Sequence, residues 1–231
     1  MSDLESENQA GQKTKGIVLI VVILLLIIAG TAAWWLISQD SSSISTEPYH
    51  ETFDSIGTWT TGEDVGAVGR VIDGVYELSV EESGGIFWVT AGRSFEDGQY
   101  MVEATPLEGA LDNGYGMLFR ADDEENNFYI FKVSSDGFVF IGRCFDSCLD
   151  QQVIVDQDWF SSAAVRQGFN VTNTLRVIAN GSDMIFYIND QEVGRASNDE
   201  FRNGDIGLMA ETFTPGGLRV AFDDFLVSPL E

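Results

Sequence analysis

The strongest constraint on this chain is the run from Ile17 to Ile37, IVLIVVILLLIIAGTAAWWLI, which is 21 residues long and carries no charge. A helix of roughly 20 apolar residues crosses the hydrocarbon core of a bilayer. Trp34 and Trp35 stand at the far end of the run, where indole rings favour the membrane–water interface. Lys13 and Lys15 flank the near end, and no Lys or Arg follows until Arg70. Positive charge marks the cytoplasmic side. The expected organisation is therefore a cytoplasmic tail over 1–16, a transmembrane helix over 17–37 and an extracytoplasmic remainder. Thr31-Ala32-Ala33 has the small-residue character of a signal-peptide cleavage site. The apolar run nevertheless outlasts a signal h-region of about 7 to 15 residues and continues through the tryptophans, which favours a retained single-pass anchor in the cell membrane. The Ser-rich segment 38–48, SQDSSSISTEP, reads as a flexible or extended linker, followed by one domain over 49–231.

The outer domain is acidic. The whole chain has 37 acidic and 12 basic side chains, a formal net charge of −25, and Lys132 is the one lysine after the apolar run. Such a surface repels phosphate backbones, so nucleic acid is excluded as a partner. The acidity fits solubility, divalent-cation binding or a salty or acidic exterior.

After residue 48 the chain reads as short strands separated by turn residues. Expected strands are 71–80, 86–90, 99–106, 114–120, 127–134, 138–143, 152–155, 173–179, 184–188, 191–196, 205–210 and 217–228. Asp73-Gly74, Ser135-Asp136-Gly137, Asn180-Gly181-Ser182-Asp183 and Asn189-Asp190 suit positive φ or Asx turns. Regular spacing of strands and turns predicts an all-β, two-sheet antiparallel sandwich or jelly roll. Residues 114–143 read as a three-strand meander with Tyr115, Met117 and Phe119 on one face and Gly116, Leu118 and Arg120 on the other. Both faces are largely apolar, so this sheet is expected to be covered on both sides or to form an apolar groove. Asp122 to Glu125 make its acidic connecting loop.

Several phrases, in order, resemble a known family. They are ETFDSIGTW, GVYELSV, YGMLFRADDEENNFYIFKVSSDGFVFIGR, NTLRVIANGSDMIFYINDQEV, GDIGLMAETF and VAFDDFLV, together covering 51–228. The chain is similar to bacterial extracytoplasmic concanavalin A-like lectin/glucanase domains, in particular the 3-keto-disaccharide hydrolase-like group. The resemblance implies a jelly roll with adjacent first and last strands, and a carbohydrate-related role in some members. Glucanase members place their carboxylates on a Glu-x-Asp-x-x-Glu strand. No such strand occurs here, and Glu103 stands alone in YMVEATP.

Candidate sites follow from residue chemistry. No catalytic residue is nominated. The acidic pairs Glu81-Glu82, Asp122-Asp123 and Asp223-Asp224 are adjacent in sequence, and on a strand such neighbours point to opposite faces. The single histidine, His50, is too little for a nucleophile–His device or a zinc site. Trp88, Tyr129 and Trp159 are candidate stacking surfaces for sugar rings, with Arg120, Lys132 and Arg143 as hydroxyl-binding neighbours. Asp54, Asp223 and Asp224 are candidate oxygen ligands for a structural Ca2+ if the first and last strands pair. Cys144 and Cys148 are expected to form a local disulfide, as an even pair outside the cell does. The favoured function is non-catalytic binding of a glycan or surface partner. Alternatives are a sugar (keto-disaccharide or glucan) hydrolase, recognised by two carboxylates facing across a groove, and a structural or sensory partner of another membrane protein.

Overall fold

The computed structural model describes residues 43–122 and 126–230. The expected tail, the membrane helix over 17–37 and the linker through residue 42 lie outside the described residues, as do Asp123, Glu124 and Glu125. A compact unit begins at Ile44. The Ser45 N–H donates to the Ser94 carbonyl at 2.8 Å, so 44–48, expected as linker, already belongs to that unit.

Sixteen strands are found among the described residues. They are β1 (Tyr49–Glu51), β2 (Gly62–Asp64), β3 (Ala67–Ile72), β4 (Val75–Val80), β5 (Ile86–Phe95), β6 (Gly98–Gly109), β7 (Gly114–Asp122) and β8 (Asn127–Ser134). The second half supplies β9 (Phe138–Phe145), β10 (Asp150–Val153), β11 (Phe160–Ser161), β12 (Asn173–Asn180), β13 (Asp183–Ile188), β14 (Gln191–Ser197), β15 (Gly204–Glu211) and β16 (Leu218–Pro229). The larger sheet has the order β14-β13-β12-β6-β16-β4-β3-β2, with β1 also on β16. The smaller sheet runs β10-β9-β8-β7-β15-β5, with β11 on β9. First and last strands do pair: His50 lies opposite Leu226. This is the expected all-β, two-sheet jelly-roll sandwich.

Side-chain alternation explains the larger sheet. Tyr100, Val102 and Ala104 of β6 and Leu175, Val177 and Ala179 of β12 are all buried, while their neighbours are half-exposed. Each buried large apolar side chain contributes about 1.5–3 kcal/mol relative to exposure. The smaller sheet departs from alternation because both of its faces are covered. Tyr115, Met117, Phe119, Tyr129 and Phe131 enter the main core between the sheets. Leu118, Phe128, Ile130, Phe140 and Met209 form a second apolar layer on the outer face, with Cys144, Cys148, Trp88 and Trp159 packed into it.

The expected strand over 71–80 is in fact two, β3 and β4, broken where Asp73 and Gly74 take φ of 52° and 78°. The short strands β1, β2 and β11 carry too few residues for an alternating pattern, and sequence reading passed over them.

Candidate functional site

The site begins with a charge in the wrong company. Lys132 sits on β8 between apolar neighbours, and its side chain points into the outer layer of the smaller sheet. Burial holds its ammonium below the usual lysine range, and the Glu211 carboxylate opposes that shift. Glu211, at the end of β15, contacts the ammonium directly. The side chains are only 1% and 9% exposed. Gln151 of β10 ties the pair together: its Oε1 accepts from Lys132 Nζ at 2.7 Å and its Nε2 donates to Glu211 Oε1 at 2.8 Å.

Aromatic rings complete this shell. Lys132 Nζ lies 4.4 Å from the Phe140 centroid and 5.1 Å from that of Trp159. Both distances fall within cation–π reach. Gly114 makes the packing possible. A Cβ there would lie 3.2 Å from Trp159 Cη2 and 3.4 Å from both Glu211 Oε2 and Lys132 Cδ. The sequence has glycine where β7 passes beneath the indole.

Trp159 also forms a wall of a depression of about 280 Å³, shared with Asp112, Ser134, Asp136, Phe138 and Phe213. Four connections meet there: the β6–β7 turn, the β8–β9 turn, the β15–β16 loop and the β10–β11 connection that carries Trp159. Asn113 holds two of them in register. Its Nδ2 donates to the Gly217 carbonyl at 3.1 Å, and its Oδ1 accepts from the Phe213 N–H at 2.9 Å. The Asp136 N–H donates to the Leu111 carbonyl at 3.0 Å, joining the third. Trp159 and Phe213 stand edge to face, 6.2 Å apart at 75°. Phe138 is 38% exposed, so its ring is open to a ligand.

The six ligand candidates read from the sequence do not gather. Lys132 and Trp159 share the site just described. Trp88 packs on the same outer layer, 5.4 Å from Phe128, and borders a separate depression with Thr60, Glu63 and Asp64. Arg120 is fully buried. Its guanidinium donates to the carbonyls of Glu96, Gly181 and Phe201 and to Asp97 Oδ1 at 2.8 Å. A φ of 52° and a register shift between Phe119 and Asp122 take it out of the alternation expected of it. Tyr129 faces the main core and bonds Asn198 Oδ1 at 2.7 Å. Arg143, opposite Tyr129 in the ladder, bonds Glu200 and Gln152. These three brace the sandwich end near 198–201.

Glu211, Gln151, Phe213, Asp112 and Asp136 escaped sequence reading as site residues. One signal pointed to Glu211. A lysine inside an apolar strand requires a buried counter-charge, and GDIGLMAETF is an apolar strand ending in a carboxylate.

Cys144 and Cys148 form the expected disulfide, closing a turn in which Asp146, Ser147 and Cys148 all have positive φ. The pairing of β1 with β16 brings Asp54, Asp223 and Asp224 into one another's field. Burial, then Asp224 and Asp54, push the Asp223 carboxyl up, and Glu103 is raised by burial and by Asp224 and Asp223. Among the described residues no group of three or more His, Cys, Asp or Glu side chains is arranged to hold a metal ion. Asp224 bonds His50 at 2.7 Å, and Thr52 Oγ1 donates to Asp54 Oδ2 at 2.8 Å.

No protein-family model matches the chain, and no curated protein matches it in sequence. Solved structures do match. The carbohydrate-binding module CBM66 from Bacillus subtilis superposes with a TM-score of 0.58 at 20% identity, over 73% of this chain and 94% of that one. A prokaryotic β-1,3-1,4-glucanase (lichenase) from a mouse hindgut metagenome gives 0.59 at 13% identity, over 79% and 99%. The β-glucanase of Bacillus licheniformis gives 0.59 at 9% identity, over 79% and 98%. At these identities the likeness establishes the architecture alone: the described domain has a concanavalin A-like jelly-roll fold.

Proposed function

We propose that this chain is a glycan-binding module displayed outside the cell on a single-pass anchor over residues 17–37, with its N-terminus cytoplasmic, and that it does not hydrolyse what it binds. The observation that carries the reading is the depression walled by Trp159, Phe138 and Phe213. Apolar sugar faces pack on aromatic planes, and Asp112, Asp136 and Ser134 supply acceptors for hydroxyl donors. Its volume of about 280 Å³ lies just below the roughly 300 to 1,000 Å³ of ligand pockets, and suits one ring of a longer glycan. The carbohydrate-binding module and glucanases of the same fold lend the class of ligand.

The non-catalytic half rests on Glu211. Glycoside hydrolysis needs two carboxyl groups about 5 to 10 Å apart across the bound sugar. The buried carboxylate beneath Trp159, Glu211, is occupied by Lys132 and Gln151, and the two acids of the depression itself, Asp112 and Asp136, are the pair whose catalytic silence product detection tests. The test is a glycan array probed with the full chain in neutral detergent, with product detection on every hit. Saturable binding without turnover is the expected result. Released sugar would move the protein to the hydrolases.

A further inference from the structure

We infer that the Trp159 depression selects ligands bearing an ammonium group, so that its preferred glycan contains a free amino sugar. The inference rests on the glycan-binding reading and narrows it. Three aromatic side chains and two carboxylates line the same small space. Aromatic faces attract organic cations through the ring quadrupole, and carboxylates add charge-assisted hydrogen bonds to an ammonium. Neither acid is already neutralised: among the described residues, neither Asp112 nor Asp136 forms an ion pair. Asp112 is exposed, and Asp136 is half-buried with one oxygen accepting from Ser134 Oγ.

The surroundings reinforce the sign. Asp158 lies next to Trp159 in the chain and within the field of Lys132. Lys132, the cation nearest the indole, is sealed beneath it and matched by Glu211, so it offers no positive charge to the open side. The chain as a whole carries −25, a field that raises the local concentration of cationic ligands and repels uronic or sulfated ones. A neutral sugar would use the aromatic walls but leave the two free carboxylates without a cationic partner.

One ammonium chemistry can come from two sources, an amino sugar or a small quaternary ammonium. Calorimetric titration of the full chain in neutral detergent separates them. The probes are a glucosamine oligomer, its fully N-acetylated counterpart, a neutral glucan oligomer and choline. The amino oligomer is expected to bind about tenfold more tightly than the acetylated one, in line with a desolvated cation–π contact. That preference should weaken with added salt and shrink in the double change Asp112→Asn with Asp136→Asn, which leaves only the aromatic walls to attract the cation. Trp159→Ala should abolish binding of every probe. Equal affinity for the amino, acetylated and neutral oligomers would overturn the cation preference while keeping the glycan reading. Choline binding with no oligosaccharide binding would keep the cation site and remove the glycan reading. No binding of any probe would remove both.

Discussion

Lys132 and Glu211 lie 79 residues apart in the chain and meet in the outer layer of the smaller sheet, one nearly sealed and the other almost so. Removing one member of such a pair leaves an uncompensated buried charge, whereas an apolar pair of similar volume is often neutral. Lys132→Met is therefore expected to destabilise the protein by about 3–5 kcal/mol. The double change Lys132→Met with Glu211→Leu should recover most of that loss. Urea unfolding of the two variants decides it, and equal destabilisation in both would show that the ion pair is not what the layer depends on.

The Arg120 guanidinium joins three backbone carbonyls and Asp97 at one end of the sandwich. Arg120→Met leaves those acceptors without their donor, at a cost of about 3 kcal/mol or more. Ligand affinity of the folded protein should not change, because Arg120 is remote from Trp159 in the fold's connections. A loss of affinity with unchanged stability would place Arg120 in the site after all.

At the β1–β16 seam, burial and neighbouring aspartates raise Asp223 and Glu103. A raised carboxyl means that the folded state binds a proton the unfolded chain has already released. The resulting penalty is absent below the ordinary values of 3.8 for Asp and 4.5 for Glu. It grows as pH rises through the folded values and is complete at neutral pH. Asp223→Asn and Glu103→Gln are accordingly expected to raise the melting temperature at pH 7 without calcium, and to give little gain near pH 4. A lower melting temperature at pH 7 in both would mean that the ionised carboxylates are held by favourable contacts.

The Cys144–Cys148 disulfide closes a short loop, and the chain-entropy relation for so few residues gives about 2 kcal/mol. Replacing both cysteines with alanine should cost about that much in chemical unfolding. The glycan preference should survive, since the bond pins a turn at the far edge of the apolar layer. Complete failure to fold would show that the disulfide staples more than its own turn.

How much of this was legible beforehand depended on the range of the interaction. Strand β8 was readable to the residue, because FYIFKVS is a short, nearly continuous apolar run rich in aromatic and β-branched residues and bounded by turn chemistry. The two covered faces of the 114–143 meander were also readable, from apolar residues in both alternating sets. Arg120 misled because alternation assumes an unbroken ladder, and a single positive-φ residue sends its side chain to the end of the sheet. Tyr129 and Arg143 misled because residue type does not say which face of a two-sided sheet is the core. The depression itself was not readable. Asp112, Asp136, Trp159 and Phe213 come from four separate connections, and only tertiary packing sets them side by side.

The most direct test of the central claim is the glycan array on wild type and Trp159→Ala, with product detection. The account predicts saturable, turnover-free binding to a small set of glycans in the wild type and loss of those signals in a variant that still folds. Undiminished binding by Trp159→Ala, or release of cleaved sugar by the wild type, would contradict it.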